Sequence, residues 1–410
     1  MPGRAPSDSG TSALEVARQL SFPRQSGTPG NLRAVELVAG WFEEAGLEVC
    51  QEWFSYDIRP AFRALRVMLL VAAILLGVAS VLVIRAPVMA VIVLAVALGG
   101  SGVFLAWAPW LEKLYRGEGG TKAANVEGRL RVADPRMTLI LVAHHDSKSQ
   151  NLTLPFRALF TLLAIGSGVT LSVLAVIGAL SGPTAVPVGW AVVAGLAGVI
   201  SLLFLSTLRN GNASPGGVDN AGSVGLLVEL AYRLAGELPD DTELIVLSPG
   251  AEEDHMVGAM RWLDRHRQDF VGRPVWAVNI DGAGIPGRVT LLERYGLGKK
   301  FSPRLSAVAR AAAAKLDLRV RGILIPPAMG VDAIPFVHRG VPCLTLTSGS
   351  LGRASLSVHS RNDRFEHLDE QALHRVRDLI VGMVEELVAE REQKKAGAEA
   401  PARRTEEDSA

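Results

Sequence analysis

Two long apolar blocks interrupt a chain whose other segments alternate short β-rich runs with amphipathic stretches. Val67 to Ile84 carries no charged residue, and after Arg85 the stretch Ala86 to Trp110 is again uncharged. Each is long enough to cross about 30 Å of hydrocarbon at ~1.5 Å per residue. Ala158 to Leu208 contains no charge, and Ser181-Gly182-Pro183 with Pro187 breaks it near its middle. Such a break predicts two helices and a tight turn. The pattern therefore predicts four transmembrane helices inserted as two hairpins, residues 67–110 and 158–208. Buried core helices are the alternative, but uncharged runs of this length are hard to fit in a water-soluble core.

Between these blocks the periodicity changes. Asn31 to Ala45 reads as an amphipathic helix introduced by Ser26-Gly27-Thr28-Pro29-Gly30, and Leu47 to Phe54 as a strand. Thr138–Ala143, Glu243–Leu247, Val275–Ile280 and Val341–Leu346 are short apolar runs of the kind that form buried strands. Ala221–Leu234, His255–Arg267, Pro303–Lys315 and Glu370–Glu390 carry helical spacing. The alternation predicts an α/β fold, a helix–sheet–helix sandwich around a mostly parallel central sheet. Its domain is discontinuous, made of residues 12–60, 111–157 and 209–392. Residues 1–11 and the polar stretch 393–410 are expected to be disordered.

Composition narrows the setting. Hydrophobic residues make up 49% of the 410, and the excess lies in the two blocks. A net charge of +1 offers no basic surface for nucleic acid. Two cysteines, Cys50 and Cys343, exclude a disulfide framework and a cysteine-based zinc site. Met1 to Ser12 lacks a charged start followed by an apolar core, so no cleavable signal peptide is expected. Arg59, Arg63, Arg66, Lys113, Arg116, Lys148, Arg157 and Arg209 flank the outer ends of the hairpins, while the turns hold only Arg85. The positive-inside rule then places every polar segment in the cytoplasm. The Ala-, Gly- and Arg-rich composition suits a bacterial inner membrane.

The polar residues after the strands carry the chemistry. One strand ends in His144-His145-Asp146, a second in Ser248-Pro249-Gly250-Ala251-Glu252-Glu253, a third in Asp281-Gly282. Open α/β sheets bind ligands at the carboxyl ends of strands. With Asp219 and His359, this rim offers imidazoles and carboxylates without thiolate, a set suited to zinc, cobalt or manganese. A single metal needs only three protein ligands and a water. The larger set suits two metals sharing a carboxylate and a water, about 3.5–4 Å apart. Each candidate alone has an ordinary reading: Glu252-Glu253 as a solvated pair at a helix start, Asp219-Asn220 as an N-cap or turn, His359 as a loop residue. His145 competes with His144 as the ligand.

The chain resembles the di-zinc aminopeptidases related to glutamate carboxypeptidase and glutaminyl cyclase. The resemblance rests on Val142-Ala143-His144-His145-Asp146-Ser147, Gly217-Val218-Asp219-Asn220-Ala221-Gly222-Ser223, Gly250-Ala251-Glu252-Glu253, Val278-Asn279-Ile280-Asp281, Asp332-Ala333-Ile334-Pro335-Phe336 and His359-Ser360, in the family's order. It implies that His144 and Asp281 hold one zinc, Glu253 and His359 the other, and Asp219 bridges them. Glu252 would take a proton from the water between the metals and pass it to the leaving amine. Asp146 would hydrogen-bond the other nitrogen of His144 and fix its tautomer. Asn220 and Gly222 would shape the turn into the following helix.

The resemblance implies a membrane-anchored aminopeptidase acting on peptides. Other amide hydrolases or acyl transferases use the same scaffold, and a non-catalytic membrane scaffold or receptor is the alternative of another class. Two features depart from the family. Val358 stands where many relatives carry a tyrosine whose hydroxyl helps hold the oxyanion. The second hairpin lies between His144 and Asp219, so it must leave and rejoin the sheet beside the metals. That position predicts a site close to the membrane surface and a membrane-associated or apolar peptide substrate. The sequence is silent on oligomeric state.

Overall fold

The computed structural model describes residues 12–106, 117–325, 329–349 and 352–407. The expectation for residues 1–11 lies outside these, as do Lys113, Arg116 and the end of the second expected span.

The α/β sandwich forms around a mixed sheet. Its strands are β1 (Glu48–Tyr56), β2 (Thr121–Leu130), β3 (Met137–Val142), β6 (Thr242–Ser248), β7 (Val275–Ile280), β8 (Val289–Tyr295), β9 (Lys299–Lys300), β10 (Val320–Ile325) and β11 (Cys343–Ser348). The order is β1-β2-β6-β3-β7-β11-β8-β10, with β9 on β8. The central run β6-β3-β7-β11 is parallel, as is β8 with β10. The β1–β2, β2–β6 and β11–β8 pairs are antiparallel. The expected mostly parallel sheet is thus corrected to a mixed one. Sequence periodicity reports burial, not strand direction, and antiparallel neighbours such as β1 and β2 need no crossover helix.

Alternation along the central strands builds two cores. Leu139, Leu141, Leu244, Val246, Val278 and Ile280 face one side, beneath α1 (Ala13–Leu20), α2 (Pro29–Glu44), α7 (Gly222–Glu237), α9 (Pro303–Lys315) and α12 (Glu370–Glu407). Ile140, Val142, Ile245, Leu247 and Ala277 face the other, beneath α8 (Val257–His266) and α10 (Ala333–His338). The period-two pleat makes each central strand apolar on both faces. Thr28 caps α2 by accepting from the Asn31 amide, and Pro29 opens its first turn, the start expected of a threonine–proline pair. The backbone of α12 continues to Glu407, into the stretch expected to be disordered. Ala, Glu, Lys and Arg there are strong helix formers.

The apolar blocks form helices α3 (Arg59–Arg85), α4 (Pro87–Ala106), α5 (Leu154–Ser181) and α6 (Val188–Ser206). Among the described residues α3, α5 and α6 are long and apolar enough to cross a membrane, while the apolar stretch of α4, Pro87–Gly100, is shorter. The expectation of four spans is therefore reduced to three described helices of sufficient length. Small residues bring the helices together. A Cβ on Gly195 would lie 2.5 Å from Ser80 Cβ, and one on Gly198 2.7 Å from Ser167 Cβ. Close approach at Gly, Ala and Ser is how apolar helices pack where no hydrophobic drive separates inside from outside.

The attachment of these helices positions the site. The first pair is inserted at the connection between β1 and β2, beyond the Tyr56–Thr121 pairing. The second is inserted beyond a two-residue antiparallel ribbon, β4 (Ser149–Gln150) with β5 (Asn210–Gly211). Because β2 runs antiparallel to β6, its start lies at the carboxyl end of β6. Both insertions therefore leave from the rim that carries the polar loops.

Candidate metal centre

Adjacent parallel strands β6, β3 and β7 end side by side, and each is followed at once by a polar loop. His144 follows β3, Glu252 and Glu253 follow β6, and Asp281 follows β7 directly. Asp219 comes from the turn entering α7. It is held by Asn220, whose side chain donates to the Ile280 carbonyl at 3.1 Å and accepts from the Gly282 amide at 3.1 Å. His359 sits in left-handed backbone at φ 60°, as Ala251 does at φ 55° before Glu252. Such conformations are uncommon for side chains with a Cβ and concentrate at functional loops.

The structure brings the predicted residues into two triads that share one member. Ligand-type atoms of His144, Asp219 and Asp281 lie within 4.8 Å of one another, as do those of Asp219, Glu253 and His359. Asp219 Oδ1 is 3.2 Å from His144 Nε2 and its Oδ2 is 3.2 Å from His359 Nε2. His359 Nε2 is 3.0 Å from Glu253 Oε2. Glu252 Oε2 lies 3.8 Å from His144 Nε2. His144 Nε2 is buried and, despite its nearness to Asp219, has no hydrogen-bond partner. A buried imidazole nitrogen left over among carboxylate oxygens fits a cation between them. The residues present therefore suit a pair of divalent ions, with Asp219 facing both.

His145, the competitor, points away. Its Nδ1 contacts the Ser248 carbonyl at 3.1 Å, and burial lowers its pKa to about 4. The expected link between Asp146 and His144 is altered. His144 Nδ1 is hydrogen-bonded to the main-chain carbonyl of Asp146 at 3.2 Å, with the carboxylate at 3.5 Å. Both oxygens are acceptors, so either holds the proton on Nδ1 and leaves Nε2 as the ligating atom. The Asp146 carboxylate instead accepts the amides of Glu252 at 3.1 Å and Glu253 at 3.3 Å. It thereby fixes the loop that presents both glutamates.

Electrostatics separate the carboxylates. Burial would raise Asp219, but the imidazoles of His144 and His359, each 3.2 Å from one of its oxygens, hold it well below the usual range. Burial drives Glu252 well up; His144 opposes this, while Asp332, Asp281 and Glu253 add to it. Asp281 is pushed up to about 7, first by burial, against His144 and with Asp219 and Glu253. Crowded buried carboxylates cannot all ionise without a compensating cation.

Several further residues reach the site without a role assigned to them from the sequence. Lys148 Nζ is 2.9 Å from Glu253 Oε2, and its amide donates to Glu253 Oε1 at 3.1 Å. Arg157, in the first turn of α5, donates from Nη2 to His359 Nδ1 at 3.2 Å, and its Nε is buried without a partner. In sequence both flank the apolar block 158–208. Arg24, fully buried, donates to the carbonyls of Leu20, His145 and Gly216 at 2.6 to 3.0 Å and ties three loops together. Asp363 accepts the Val218 amide at 2.7 Å beside Asp219. Asp332 is fully buried and neither of its carboxylate oxygens has a partner. It is raised to about 8, chiefly by burial, with His144 opposing and Asp281 and Asp146 adding. A third group, Glu52, Glu127 and His266, lies apart on the β1–β2 side. It is already tied to Arg265, Arg129 and Trp262.

Comparison with known proteins agrees with this geometry. Residues 125–384 match the model of peptidase family M28. Aminopeptidase YwaD of Bacillus subtilis is 23% identical over 177 residues, which span 43% of this chain and 38% of that relative. The chain thus matches less than half the length of that relative. Among solved structures, the aminopeptidase of Aneurinibacillus sp. strain AM-1 superposes with a TM-score of 0.54 at 15% identity, covering 91% of this chain and 92% of that one. The zinc aminopeptidase of Bacillus subtilis gives 0.53 at 13%, covering 94% and 96%. Glutaminyl cyclase of Fimbriiglobus ruber gives 0.52 at 15%, covering 93% and 96%. At these identities the solved structures establish the shared fold.

Proposed function

The chain belongs to peptidase family M28, and on that premise we propose that it is a membrane-anchored aminopeptidase working with two zinc ions. The observation that carries the proposal is the pair of ligand triads joined at Asp219, with the Glu252 carboxyl beside them. His144 and Asp281 would hold one ion, Glu253 and His359 the other, and Asp219 both. Cobalt or manganese suits the same donors. When bound, the ions polarise the substrate carbonyl and acidify water.

The protein's own groups do the rest. Glu252 accepts the proton of the attacking water and returns it to the leaving amine. Burial and its carboxylate neighbours move it in the direction a proton carrier at neutral pH requires. Asp146 holds Glu252 in place through its amide. Arg157 supplies the donor that Val358 lacks. For His359 to offer Nε2 to a metal, Nδ1 must carry the proton and can no longer accept from Arg157. The guanidinium is then free to turn to the developing oxyanion, a contact of the kind that stabilises acyl-transfer transition states. The substrate's free amine would sit near the metals, which selects chain termini. Relatives that are aminopeptidases favour this reading, and a glutaminyl cyclase shares the same fold.

The membrane reading rests on α3, α5 and α6. A cytoplasmic catalytic domain at a bacterial inner membrane is part of the proposal, supported by turns that hold only Arg85 while Arg59, Arg63, Arg66 and Arg209 flank the outer ends. The ribbon β4–β5 holds the second insertion against the site: the Gln150 amide donates to the His359 carbonyl at 2.9 Å. This supports a substrate that is an apolar or membrane-associated peptide. The deciding experiment is metal content and hydrolysis of aminoacyl amides by detergent-purified wild type and Asp219→Ala. Two zinc ions per chain, lost together with activity in the variant, are expected. A well-folded chain that binds no zinc would overturn the proposal.

A further inference from the structure

A polar cavity and an apolar groove follow one another along α3, the first reached by Arg209 just beyond α6 and the second lined by α6 itself. The cavity, about 450 Å³, sits where α3 and α6 meet the catalytic domain. Four guanidinium side chains line it, those of Arg59, Arg63, Arg66 and Arg209. Arg59 is taken by Asp57, at 2.8 and 2.9 Å. The other three have no carboxylate partner among the described residues, and Arg66 Nε is buried without a hydrogen-bond partner. Asp254 is the one acid in the wall, and it already accepts from Tyr56 at 2.6 Å and Asn210 at 3.2 Å. Ile58 and Phe62 add an apolar side.

The groove, also about 450 Å³, begins a turn further along. Leu70, Ala73, Ile74, Gly77 and Val78 of α3 and Val199 and Leu203 of α6 line it. From Arg66 to Val78 the helix rises about 18 Å. Along α3 the cationic chamber, at Arg59 to Arg66, is thus followed by the apolar trough, at Leu70 to Val78, the order in which headgroup gives way to hydrocarbon if α3 enters a membrane.

We infer that this pair of cavities binds one anionic phospholipid. Its phosphate sits among Arg63, Arg66 and Arg209, and an acyl chain lies in the α3–α6 groove. Guanidinium recognises phosphate through paired donors, and the excess of positive charge selects a net-negative headgroup over a zwitterionic one. The inference rests on the reading of α3 and α6 as membrane helices and is independent of the metal chemistry. Ser26, in the same wall, accepts the Ala251 amide at 3.1 Å and contacts Asp146. The bound headgroup therefore lies against the support of the catalytic loop.

The test is the intact mass of the full chain purified in detergent, followed by exchange into vesicles. A single anionic phospholipid retained per chain is expected, with preference for phosphatidylcholine vesicles containing phosphatidylglycerol over phosphatidylcholine alone. Combined Arg63→Gln, Arg66→Gln and Arg209→Gln should weaken retention about a hundredfold, the sum of three headgroup contacts. Gly77→Phe, which fills the groove and leaves every charge, should lower retention as well. A lipid-free wild type, equal retention of phosphatidylcholine, or a detergent-stable dimer with the groove covered by a second copy would overturn the inference. So would binding of inorganic phosphate alone as tightly as the anionic vesicles, which would make the chamber a plain anion site. A lipid-free chain that still requires detergent would sink this inference only. A chain soluble without detergent would remove the membrane reading itself.

Discussion

The sheet core and the helical bundle use the same side chains in opposite ways. In the sheet, large aliphatic residues are turned inward; Ile140, Ile245 and Leu141 are at most 1% exposed. In the bundle they are turned outward: Ile74 is 64% exposed, Leu162 68% and Leu180 83%. The bundle's own core mixes large residues such as Val83 and Leu171 with small ones, Ala79, Ala175 and Ala191, and its helices close up at Gly195 and Gly198. The difference shows that burial is defined by the surrounding solvent. Water drives isoleucine into the sheet; if the bundle lies in a membrane, the hydrocarbon is as apolar as isoleucine, and close packing at small residues helps to hold the helices. The candidate metal site lies at the rim from which both apolar insertions leave, and its buried carboxylates crowd one another.

That contrast can be tested from its strongest effect downward. Glu252→Gln removes the proton carrier from the rim and leaves both regions packed; turnover should fall about a thousandfold with metal content unchanged. Loss of metal in this variant would recast Glu252 as a ligand. Next, the same truncation made in both regions should diverge. Ile140→Ala should cost about 2–5 kcal/mol in thermal or denaturant unfolding, while Ile74→Ala should cost less than about 1 kcal/mol. Equal costs would mean the bundle is buried in water-soluble fashion. At the boundary, Arg157→Met should lower kcat about a hundredfold without changing metal content or helix content by circular dichroism. An unchanged kcat would leave Arg157 only a positioning role for His359.

The smallest effect is a slope with pH. Without metal, Asp281 titrates at about 7, so below that it is protonated and a metal must displace the proton. Metal affinity should therefore fall as pH drops below about 7, by about tenfold per unit for each proton displaced. Titration against a competing chelator on either side of neutrality checks this. An affinity flat across that range would show that no proton leaves on binding.

Much of this was legible in the sequence because strands and ligands are adjacent in it. Val275–Ile280 runs straight into Asp281, and the apolar run before His144-His145-Asp146 announces its own end. Other parts were hidden by tertiary pairing. Strand β2 carries Asn125, Glu127 and Arg129, polar residues that are nonetheless buried. Asn125 bonds Gly258 and Gly250, and Glu127 bonds Arg129 and Trp262. Nothing in one dimension announces such partners. Lys148 and Arg157 misled for a related reason. Their nearness in sequence to an apolar block made them look like topology signals, whereas in space they address Glu253 and His359. Arg24 left no local trace, since its partners are carbonyls of distant loops.

The placement of the second insertion has a consequence for biogenesis. Helices α5 and α6 stand between His144 and Asp219 in the chain, and the ribbon β4–β5 closes only when both have folded back together. On the membrane reading, a ribosome delivers His144 first and Asp219 only after the hairpin has been handed to the insertion machinery. A chain stranded in the cytosol then lacks the geometry to assemble both ligand triads. On that reading, assembly of the candidate metal site would follow insertion.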